Sequence, residues 1–289
     1  MILQFPTRLQ VPLDRWVDVA MDWLLEYCGD AFEILGNWIL VGLMALEKFF
    51  VWLPWPVLII IVFLLGWRLV GRLRDGLLLA TLLFLVGCFG YWDLAMMTLA
   101  LIMASVSVSL VIGIPTGILM AASDRFSKVL KPILDGMQTM PSFVYLIPAM
   151  MLFGLGKVPA LFATIIYAVP PVIRLTNVGI REVDPSIVEA AHAFGADPWK
   201  VLTSVELPLA RPSIMVGINQ TTMMALSMVV IASMIGARGL GLEVLLAINR
   251  IEIGRGVKAG MAIVFLAIIV DRITAAMAAE RRMRKGGGS

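Results

Sequence analysis

The chain has 289 residues, of which 60% are hydrophobic and 15% are charged, with a formal net charge of +3 and a mean hydropathy of +0.94. Soluble domains are roughly 45–50% apolar and about 25% charged, so this composition excludes an ordinary soluble protein and indicates an integral membrane protein. Several apolar segments reach the roughly 20 residues that a helix needs to cross a bilayer, which favours an all-α architecture. The sequence pI of about 9.0 is typical of cytoplasmic Lys and Arg in a membrane protein, and no nucleic-acid footprint is expected.

Two residue types and one missing motif exclude further classes of site. Cys28 and Cys88 are far apart and in different surroundings, so we expect neither a disulfide framework nor a metal site. His192 is the only histidine and has no second ligand beside it, so it is interpreted as a contact or surface residue. The chain contains no Walker A pattern such as GxxxxGK[ST]. We therefore predict that it is not an enzyme and holds no cofactor of its own.

Residues 1–53 are predicted to form an amphipathic segment outside the membrane core. Trp38 to Leu53 is more apolar but contains Glu47 and Lys48, which would cost several kcal/mol in mid-bilayer. We therefore expect two helical pieces that lie along the outer membrane face, while the alternative, in which 38–53 spans the membrane, stays open. The first piece carries acidic residues every three or four positions, which form one polar stripe of a helix: Asp14, Asp18, Asp22, Glu26, Asp30 and Glu33.

The rest of the chain is predicted to hold about seven transmembrane helices. Two accessory spans occupy 54–92, and the remaining five belong to a domain at 93–279. Gly113 and Pro115 are positioned to bend the third span. Residues 280–289 are read as a cytoplasmic tail, whose final GGGS resembles a linker scar. The predicted spans are 54–70, 77–91, 94–122, 138–153, 158–178, 213–235 and 257–278.

The longest polar interruption in the apolar second half, residues 184–212, is predicted to be two short helices around a turn. An Asp-Pro pair at 184–185 and another at 197–198 are start signals, because Asp caps a helix and proline is tolerated at its first position. Gly195 is expected to stop the first helix in the left-handed conformation, and Pro208 to end the second. Helices this short need a packing partner to be stable.

The hairpin also carries a family resemblance. Glu189-Ala190-Ala191, then Gly195, then Val205-x-Leu207-Pro208 resemble the EAA loop of ABC importer permeases, with Val205 in the isoleucine place. The resemblance implies a coupling helix that docks on a cytoplasmic ATPase; the alternative is a surface hairpin without a partner. The coupling residues that it implies are Glu189, Ala190, Ala191, His192, Gly195, Leu207 and Pro208.

Further stretches resemble the proline/glycine betaine branch of these permeases. They are 135–154, 170–180, 225–241 and 267–274. Two residues depart from that branch: Arg238 replaces a small residue, and Glu252 stands where Asp is expected. Both lie in the predicted external loop, 236–256, so they bear on the binding-protein partner. Arg238, Arg250 and Glu252 are the candidate docking residues, although the loop could equally be a re-entrant cap.

The predicted fourth span is rich in methionine and aromatic residues and carries two prolines, as a gate or passage lining would. Plain packing between helices is the alternative interpretation. No aromatic box for a quaternary ammonium group is evident, so substrate selection is assigned to a separate binding protein. The candidate passage residues are Met137, Thr139, Met140, Ser142 and Tyr145.

The resemblance implies a type I ABC importer permease fold in the bacterial inner membrane, with the hairpin and C-terminus cytoplasmic and the N-terminus outside. The positive-inside rule agrees with this orientation. A homodimer would work with two ATPase subunits, which bind ATP and Mg, and with an extracytoplasmic solute-binding protein. Glycine betaine, proline betaine, choline or proline is the expected solute. Carnitine, methionine or another amino acid, an ATP-independent secondary transporter, and a scaffolding membrane protein are the alternatives.

Overall fold

The computed structural model describes residues 13–286, and side-chain surroundings within 15–277. The predictions for residues 1–12, for the side chains of the tail and for the last three residues therefore lie outside the described part. Within that part every regular element is helical. The α-helices are α1 (Leu13–Trp52), α2 (Trp55–Val70), α3 (Leu73–Cys88), α4 (Trp92–Ala122), α5 (Asp124–Thr139), α6 (Leu146–Phe153), α7 (Lys157–Arg181), α8 (Pro185–Ala193), α9 (Pro198–Val201), α10 (Leu207–Ala232), α11 (Leu240–Arg250) and α12 (Ile253–Gly286).

The N-terminal segment is one helix of 40 residues, so the prediction of two separate pieces is wrong. The predicted break fell near Gly36, which costs about 1 kcal/mol inside a helix relative to alanine. In the structure Gly36 is buried, and a Cβ there would lie 3.2 Å from the Phe153 ring and 3.7 Å from Val158. The small residue thus allows α1 to approach α6 and α7 closely, and this tertiary contact supports a continuous helix.

Helices α4, α7 and α10 form the centre of the bundle, where glycines allow their backbones to approach closely. A Cβ on Gly113 would lie 2.4 Å from Val172, and one on Gly117 would lie 2.6 Å from Thr176, so α4 and α7 run parallel. Gly217 of α10 also packs against Val172 of α7. Gly179, which follows Val172 in α7, packs against Ser213, which precedes Gly217 in α10, so α10 runs antiparallel to α7. Gly113, expected to bend a span, therefore also has a packing role.

The predicted fourth span, 138–153, is not a single helix. α5 ends at Thr139, Met140 is extended (φ −70°, ψ 135°), and a 3-10 turn at Ser142–Tyr145 leads into α6. The reason is local, because the Cδ of Pro141 clashes with a helical conformation of the preceding residue. The apolar composition of 138–153 predicted its membrane location but could not reveal this break.

The bundle has two ends. The hairpin end carries residues 184–206, and the α11 end carries α11 and the start of α12. The Nζ of Lys258 lies 4.9 Å from the centre of the Tyr91 ring, which places the α3–α4 turn at the α11 end. Since α2 and α3 form an antiparallel hairpin, closely packed at Gly66 and Gly76, their own turn lies at the hairpin end.

Among the described residues, five helical segments are long and apolar enough to cross a membrane by length and composition. Two shorter apolar helical segments, Trp55–Val70 and Ser142–Phe153, accompany them. The all-α membrane architecture is confirmed, while the count of seven spans stays a prediction. The five long segments are Arg15–Trp52, Trp92–Ala122, Lys157–Arg181, Pro198–Ile235 and Ile253–Met277.

Candidate coupling hairpin and passage

The hairpin begins with the cap that the sequence predicts. The carboxylate of Asp184 accepts a hydrogen bond from the backbone N–H of Ser186 at 2.9 Å, and Pro185 occupies the first helical position. This hydrogen bond stabilises the charged form, so it holds the pKa of Asp184 below its usual value. Asp197 caps α9 in the same way, accepting from the N–H of Lys200 at 2.9 Å. Both helix starts are confirmed.

Gly195 ends α8 as predicted. Its φ is +79°, in the left-handed region that favours glycine. The N–H of Gly195 donates to the carbonyl of His192 at 2.9 Å, and the N–H of Ala196 donates to the carbonyl of Ala191 at 3.1 Å. Both bonds are those of a Schellman cap, which satisfies carbonyls at the end of the helix. The turn therefore depends on the conformation of Gly195.

The second helix of the hairpin does not end at Pro208, so this prediction is wrong. A π-helical turn at Leu202–Glu206 joins α9 to α10, and Pro208 lies in the first turn of α10. Proline has no N–H, and its ring clashes with the carbonyl four residues earlier in a regular α-helix. The wider π turn relieves this conflict and lets the helix continue into the bundle.

The surface of the hairpin is open. Within α8, all of whose residues the structure describes, none is buried. Glu189, Ala190 and His192 are exposed and Ala191 is half-buried, whereas Leu207 packs against the buried cluster around Ala210 at the base of α10. Of the predicted coupling residues, those of α8 are thus available to a partner. Leu207, and the half-buried Pro208 beside it, instead help to seat the hairpin on the bundle.

Two aromatic side chains at this surface were missed by the sequence reasoning. Phe194 is 93% exposed and Trp199 is 71% exposed, and they lie on either side of the Gly195 turn. Large aromatic groups are typical contact residues of protein interfaces. Their presence inside the longest polar interruption of the apolar second half was the available sequence signal. Phe194 and Trp199 enlarge the candidate docking surface beyond the EAA residues.

The hairpin is attached to a polar cluster around Arg181, the last residue of α7. The Arg181 guanidinium pairs with Asp124 at 2.7 Å and donates to Asn177 Oδ1 and to the carbonyl of Met120, each at 3.0 Å. This guanidinium holds the pKa of Asp124 below its usual value. The cluster fixes the ends of α4 and α7 and the start of α5, just before the hairpin begins.

The candidate passage residues lie around the break between α5 and α6. Tyr145 is buried, and its hydroxyl donates to the carbonyl of Met137, which bridges the break. The hydroxyl of Thr139 donates to the carbonyl of Gly136 at 3.0 Å. Met140 is exposed and Ser142 is half-buried. The five residues thus lie within one short stretch around the break, with Tyr145 and Met137 in contact, and their role in lining a passage stays a prediction.

Two ionisable side chains of the bundle, Arg174 and Asp271, have partners on neighbouring helices. Arg174 of α7 forms an ion pair with Asp135 of α5. Asp271 of α12 accepts a hydrogen bond from the amide of Asn219 at 3.2 Å, and Asn219 accepts one from Thr274 at 2.8 Å. Each charge is therefore stabilised by a neighbouring helix, which supports a structural role for Arg174 and Asp271.

The loop at the α11 end is anchored on α4. The N–H of Leu240 donates to the Thr98 hydroxyl at 2.9 Å in a buried contact. Arg255 pairs with Glu243 at 2.8 Å and with Glu252 at 3.1 Å, which joins α11 to α12. Of the three candidate docking residues, Glu252 is thus already paired. The other two, Arg238 and Arg250, are exposed.

The comparisons with known proteins agree with this geometry. Residues 113–285 match the family described as "Binding-protein-dependent transport system inner membrane component". Two crystal forms of the inward-facing MetNI methionine ABC transporter, CY5 SeMet soak and CY5 native, share the fold. Their TM-scores are 0.55 and 0.57, and their sequence identities are 23% and 20%. Each alignment covers 64% of this chain and 92% of the other chain.

Curated relatives are more similar in sequence. The glycine betaine/proline betaine transport system permease protein ProW of Escherichia coli K12 is 46% identical, over 95% of this chain and 77% of its own length. The glycine betaine/carnitine transport permease protein GbuB of Listeria monocytogenes is 45% identical, over 94% and 97%. The glycine betaine transport system permease protein OpuAB of Bacillus subtilis is 42% identical, over 95% and 97%. The chain therefore belongs to the family of binding-protein-dependent transport system inner membrane components, the permease subunits of ABC importers.

Proposed function

We propose that this permease moves a small zwitterionic or quaternary ammonium solute into the cytoplasm, with glycine betaine first and proline betaine, choline and proline as related solutes. The names of the three relatives support this solute class, since each includes glycine betaine. Choline occurs in the name of another relative, and carnitine, which occurs in the name of GbuB, is the second choice. The likeness to the methionine transporter supports the fold alone, because the sequence identity is only 23%.

The observation that carries the proposal is the open hairpin. Its caps and its Gly195 turn are formed, while Glu189, Phe194 and Trp199 remain exposed. A short helix with no buried residue is stable only when it contacts something else. We infer that a cytoplasmic ATPase subunit covers this surface, with Glu189 facing a basic group and the two aromatic side chains in apolar recesses. That ATPase binds ATP and Mg and supplies the energy.

A second copy of the chain completes the assembly. The exposed residues Phe143, Ile147 and Met151 follow one another along the 3-10 turn and α6 at a spacing that keeps them on one face. A homodimer that pairs these faces would place the candidate passage residues between the two copies. Two ATPases would then bind the two hairpins, and alternating access would follow from their closure and reopening.

At the opposite end, the loop with α11 is the proposed platform for a solute-binding protein. Arg238 and Arg250 are exposed there, and the anchors at Thr98 and Arg255 hold the loop in place. This assignment places the α11 end outside and the hairpin and C-terminus in the cytoplasm. An ATP-independent transporter would need no exposed docking hairpin, so the open surface at Gly195 favours the ATP-driven mechanism.

The position of α1 follows from its contacts. Gly36 packs on Phe153 and Val158, and Glu47 pairs with Lys157, so 36–47 lies against the α6–α7 turn at the α11 end. We infer that this part lies along the outer face and that the N-terminus is outside. The whole helix is long enough to cross a membrane, so a spanning α1 remains the competing topology.

Reconstitution tests the proposed function. The permease is combined in vesicles with its co-purifying ATPase and solute-binding protein, and uptake of labelled glycine betaine is measured with and without ATP. We expect ATP-dependent uptake that choline or proline betaine reduces and methionine leaves unchanged. Uptake of methionine but not glycine betaine would contradict the solute class, and uptake without ATP would contradict the mechanism.

A further inference from the structure

A cavity of about 660 Å³ lies between α3 and α12 at the hairpin end of the bundle. Its apolar wall is formed by Leu78, Leu79 and Leu82 of α3 and by Ile268 of α12. Leu79 is buried, whereas Leu78 is 52% exposed, so the wall extends from the interior to the outer surface of the bundle. Such a wall fits an acyl chain that enters from the surrounding bilayer.

The mouth of this cavity is charged. It is lined by Arg72, which lies in the α2–α3 turn, by Arg272 of α12, and by Asp75 in the first turn of α3. Both arginines are exposed, and none of the ion pairs found within residues 15–277 includes any of these three side chains. Two guanidinium groups and one carboxylate give the mouth a net positive charge beside an apolar wall.

We propose that this cavity binds one anionic glycerophospholipid, with its phosphate held by Arg72 and Arg272 and an acyl chain along the leucine wall. Guanidinium groups present paired N–H donors that match phosphate oxygens, which makes Arg a preferred phosphate ligand. Basic pockets between membrane helices bind lipid headgroups in this way. A lipid without net charge would use only the apolar wall, and a free phosphate only the arginines.

The carboxylate of Asp75 should oppose binding of an anionic lipid. It lines the same mouth and repels a phosphate, so it weakens the site that the two arginines form. Removal of the carboxylate should therefore increase the bound anionic lipid, while removal of the guanidinium groups should decrease it. If these residues had only a structural role, the two kinds of variant would not change the amount of bound anionic lipid in opposite directions.

Quantification of co-purified phospholipid tests the site. The full chain is purified in mild detergent from cells that contain phosphatidylglycerol and phosphatidylethanolamine, and both lipids are measured by mass spectrometry. We expect R72Q/R272Q to lose about 25-fold in bound phosphatidylglycerol and each single variant about fivefold, since each basic group near the surface contributes about 1 kcal/mol, which corresponds to about fivefold in affinity. D75N should retain more phosphatidylglycerol than the wild type.

Arg74 provides the matched control, because it lies two residues from Arg72 in an exposed position but does not line the cavity. R74Q should change bound phosphatidylglycerol by less than about twofold. An equal loss in R74Q and R72Q would mean a diffuse surface attraction and would overturn the site. The single variants keep the proposal testable if the double variant fails to fold.

A second experiment distinguishes binding of a lipid from binding of a free phosphate. Delipidated protein is mixed with phosphatidylglycerol, phosphatidylethanolamine or inorganic phosphate, and its thermal unfolding is followed. We expect a rise in the unfolding temperature with phosphatidylglycerol that R72Q/R272Q lacks. An equal rise with inorganic phosphate would assign the cavity to a free anion, and an equal rise with phosphatidylethanolamine would leave no role for the charge. Either result overturns the proposal.

Discussion

Glu47 of α1 forms an ion pair with Lys157, the first residue of α7, across 110 positions of sequence. The Glu47 side chain is 11% exposed and that of Lys157 is 24% exposed, so the pair is largely removed from solvent. A lone carboxylate at this position would be costly in a membrane protein, and the ammonium group offsets that cost. The pair fastens the N-terminal helix to the α6–α7 turn.

Reversal of one charge in this pair should release α1. Glu47→Lys places two ammonium groups together, and we expect a loss of about 2–4 kcal/mol of stability, because an uncompensated charge is left partly buried. The double variant E47K/K157E restores opposite charges and should recover most of the loss. Thermal unfolding of the purified chain measures both. A double variant no more stable than E47K would mean that the ion pair contributes little.

The topology of α1 can be decided by cysteine labelling. Asp22 and Asp30 are exposed, and each is replaced by cysteine in a chain from which the half-buried Cys28 and the exposed Cys88 have been removed. We expect Asp22→Cys and Asp30→Cys to react with a membrane-impermeant thiol reagent in intact cells. Lys128→Cys, near the hairpin end, is the control and should react only after lysis. Labelling of Asp22→Cys only after lysis would establish a spanning α1.

Gly195→Val should uncouple transport while membrane insertion stays normal. A β-branched residue is strongly disfavoured at a φ of +79°, so the turn between α8 and α9 should change its conformation. ATPase binding in detergent and solute uptake in vesicles are the measurements. Gly90→Val is a matched control, since Gly90 has a φ of +75° and open space around its Cβ position, as Gly195 has, but lies at the other end of the bundle. Near-normal solute uptake by Gly195→Val would show that coupling does not depend on this turn.

Charge reversal at Glu189 should weaken ATPase docking more than charge removal. Glu189→Lys introduces repulsion against the basic group proposed on the ATPase, whereas Glu189→Gln only removes an attraction. Pull-down of the ATPase compares the two variants, with Glu182→Lys, an exposed acidic residue just before the hairpin, as the control. Equal binding by the Lys and Gln variants would leave Glu189 as an ordinary surface residue.

Truncation of the exposed aromatic side chains should lower ATPase affinity without affecting the fold. Phe194→Ser and Trp199→Ser remove side chains that are 93% and 71% exposed, so the unfolding temperature should stay within about 2 °C of wild type. Truncation of an aromatic hot spot costs about 2 kcal/mol or more, roughly a 30-fold change in the dissociation constant, and we expect this loss for both residues. Ile248→Ser, exposed at the α11 end, is the control. Unchanged affinity would place both aromatic groups outside the interface.

Local signals allowed the sequence to predict the hairpin. The caps at Asp184 and Asp197 and the turn at Gly195 depend on neighbours within three or four residues, so they could be read directly. The prediction that Pro208 ends the second helix was wrong, because a proline usually interrupts a helix. Here a π turn five residues long accommodates the proline ring, and the helix continues. The break at Pro141 was also visible in the sequence, but the apolar run around it favoured a single span.

Other features depend on contacts distant in sequence, and no local pattern predicts them. The continuity of α1 depends on Gly36 against Phe153, and the Arg181 cluster depends on Asp124 from another helix. Nothing in the sequence around Glu47 points to Lys157 as its partner. Membrane class was therefore accessible from composition, and the family and the candidate coupling motif from a resemblance of quoted residues. The ion pairs that hold the helices required the folded chain.

The π turn also has a mechanical consequence. Because it joins α9 to α10 without a loop, Pro198–Ile235 forms one apolar helical segment of 38 residues. At 1.5 Å per residue this rod is about 55 Å long, so a tilt of about 5° at one end displaces the other by about 5 Å. Trp199 lies at one end and Ile235, whose carbonyl accepts the N–H of Gly156, lies at the other. We therefore expect a displacement of the hairpin to reach the α6–α7 turn through continuous helix, because no loop separates the two.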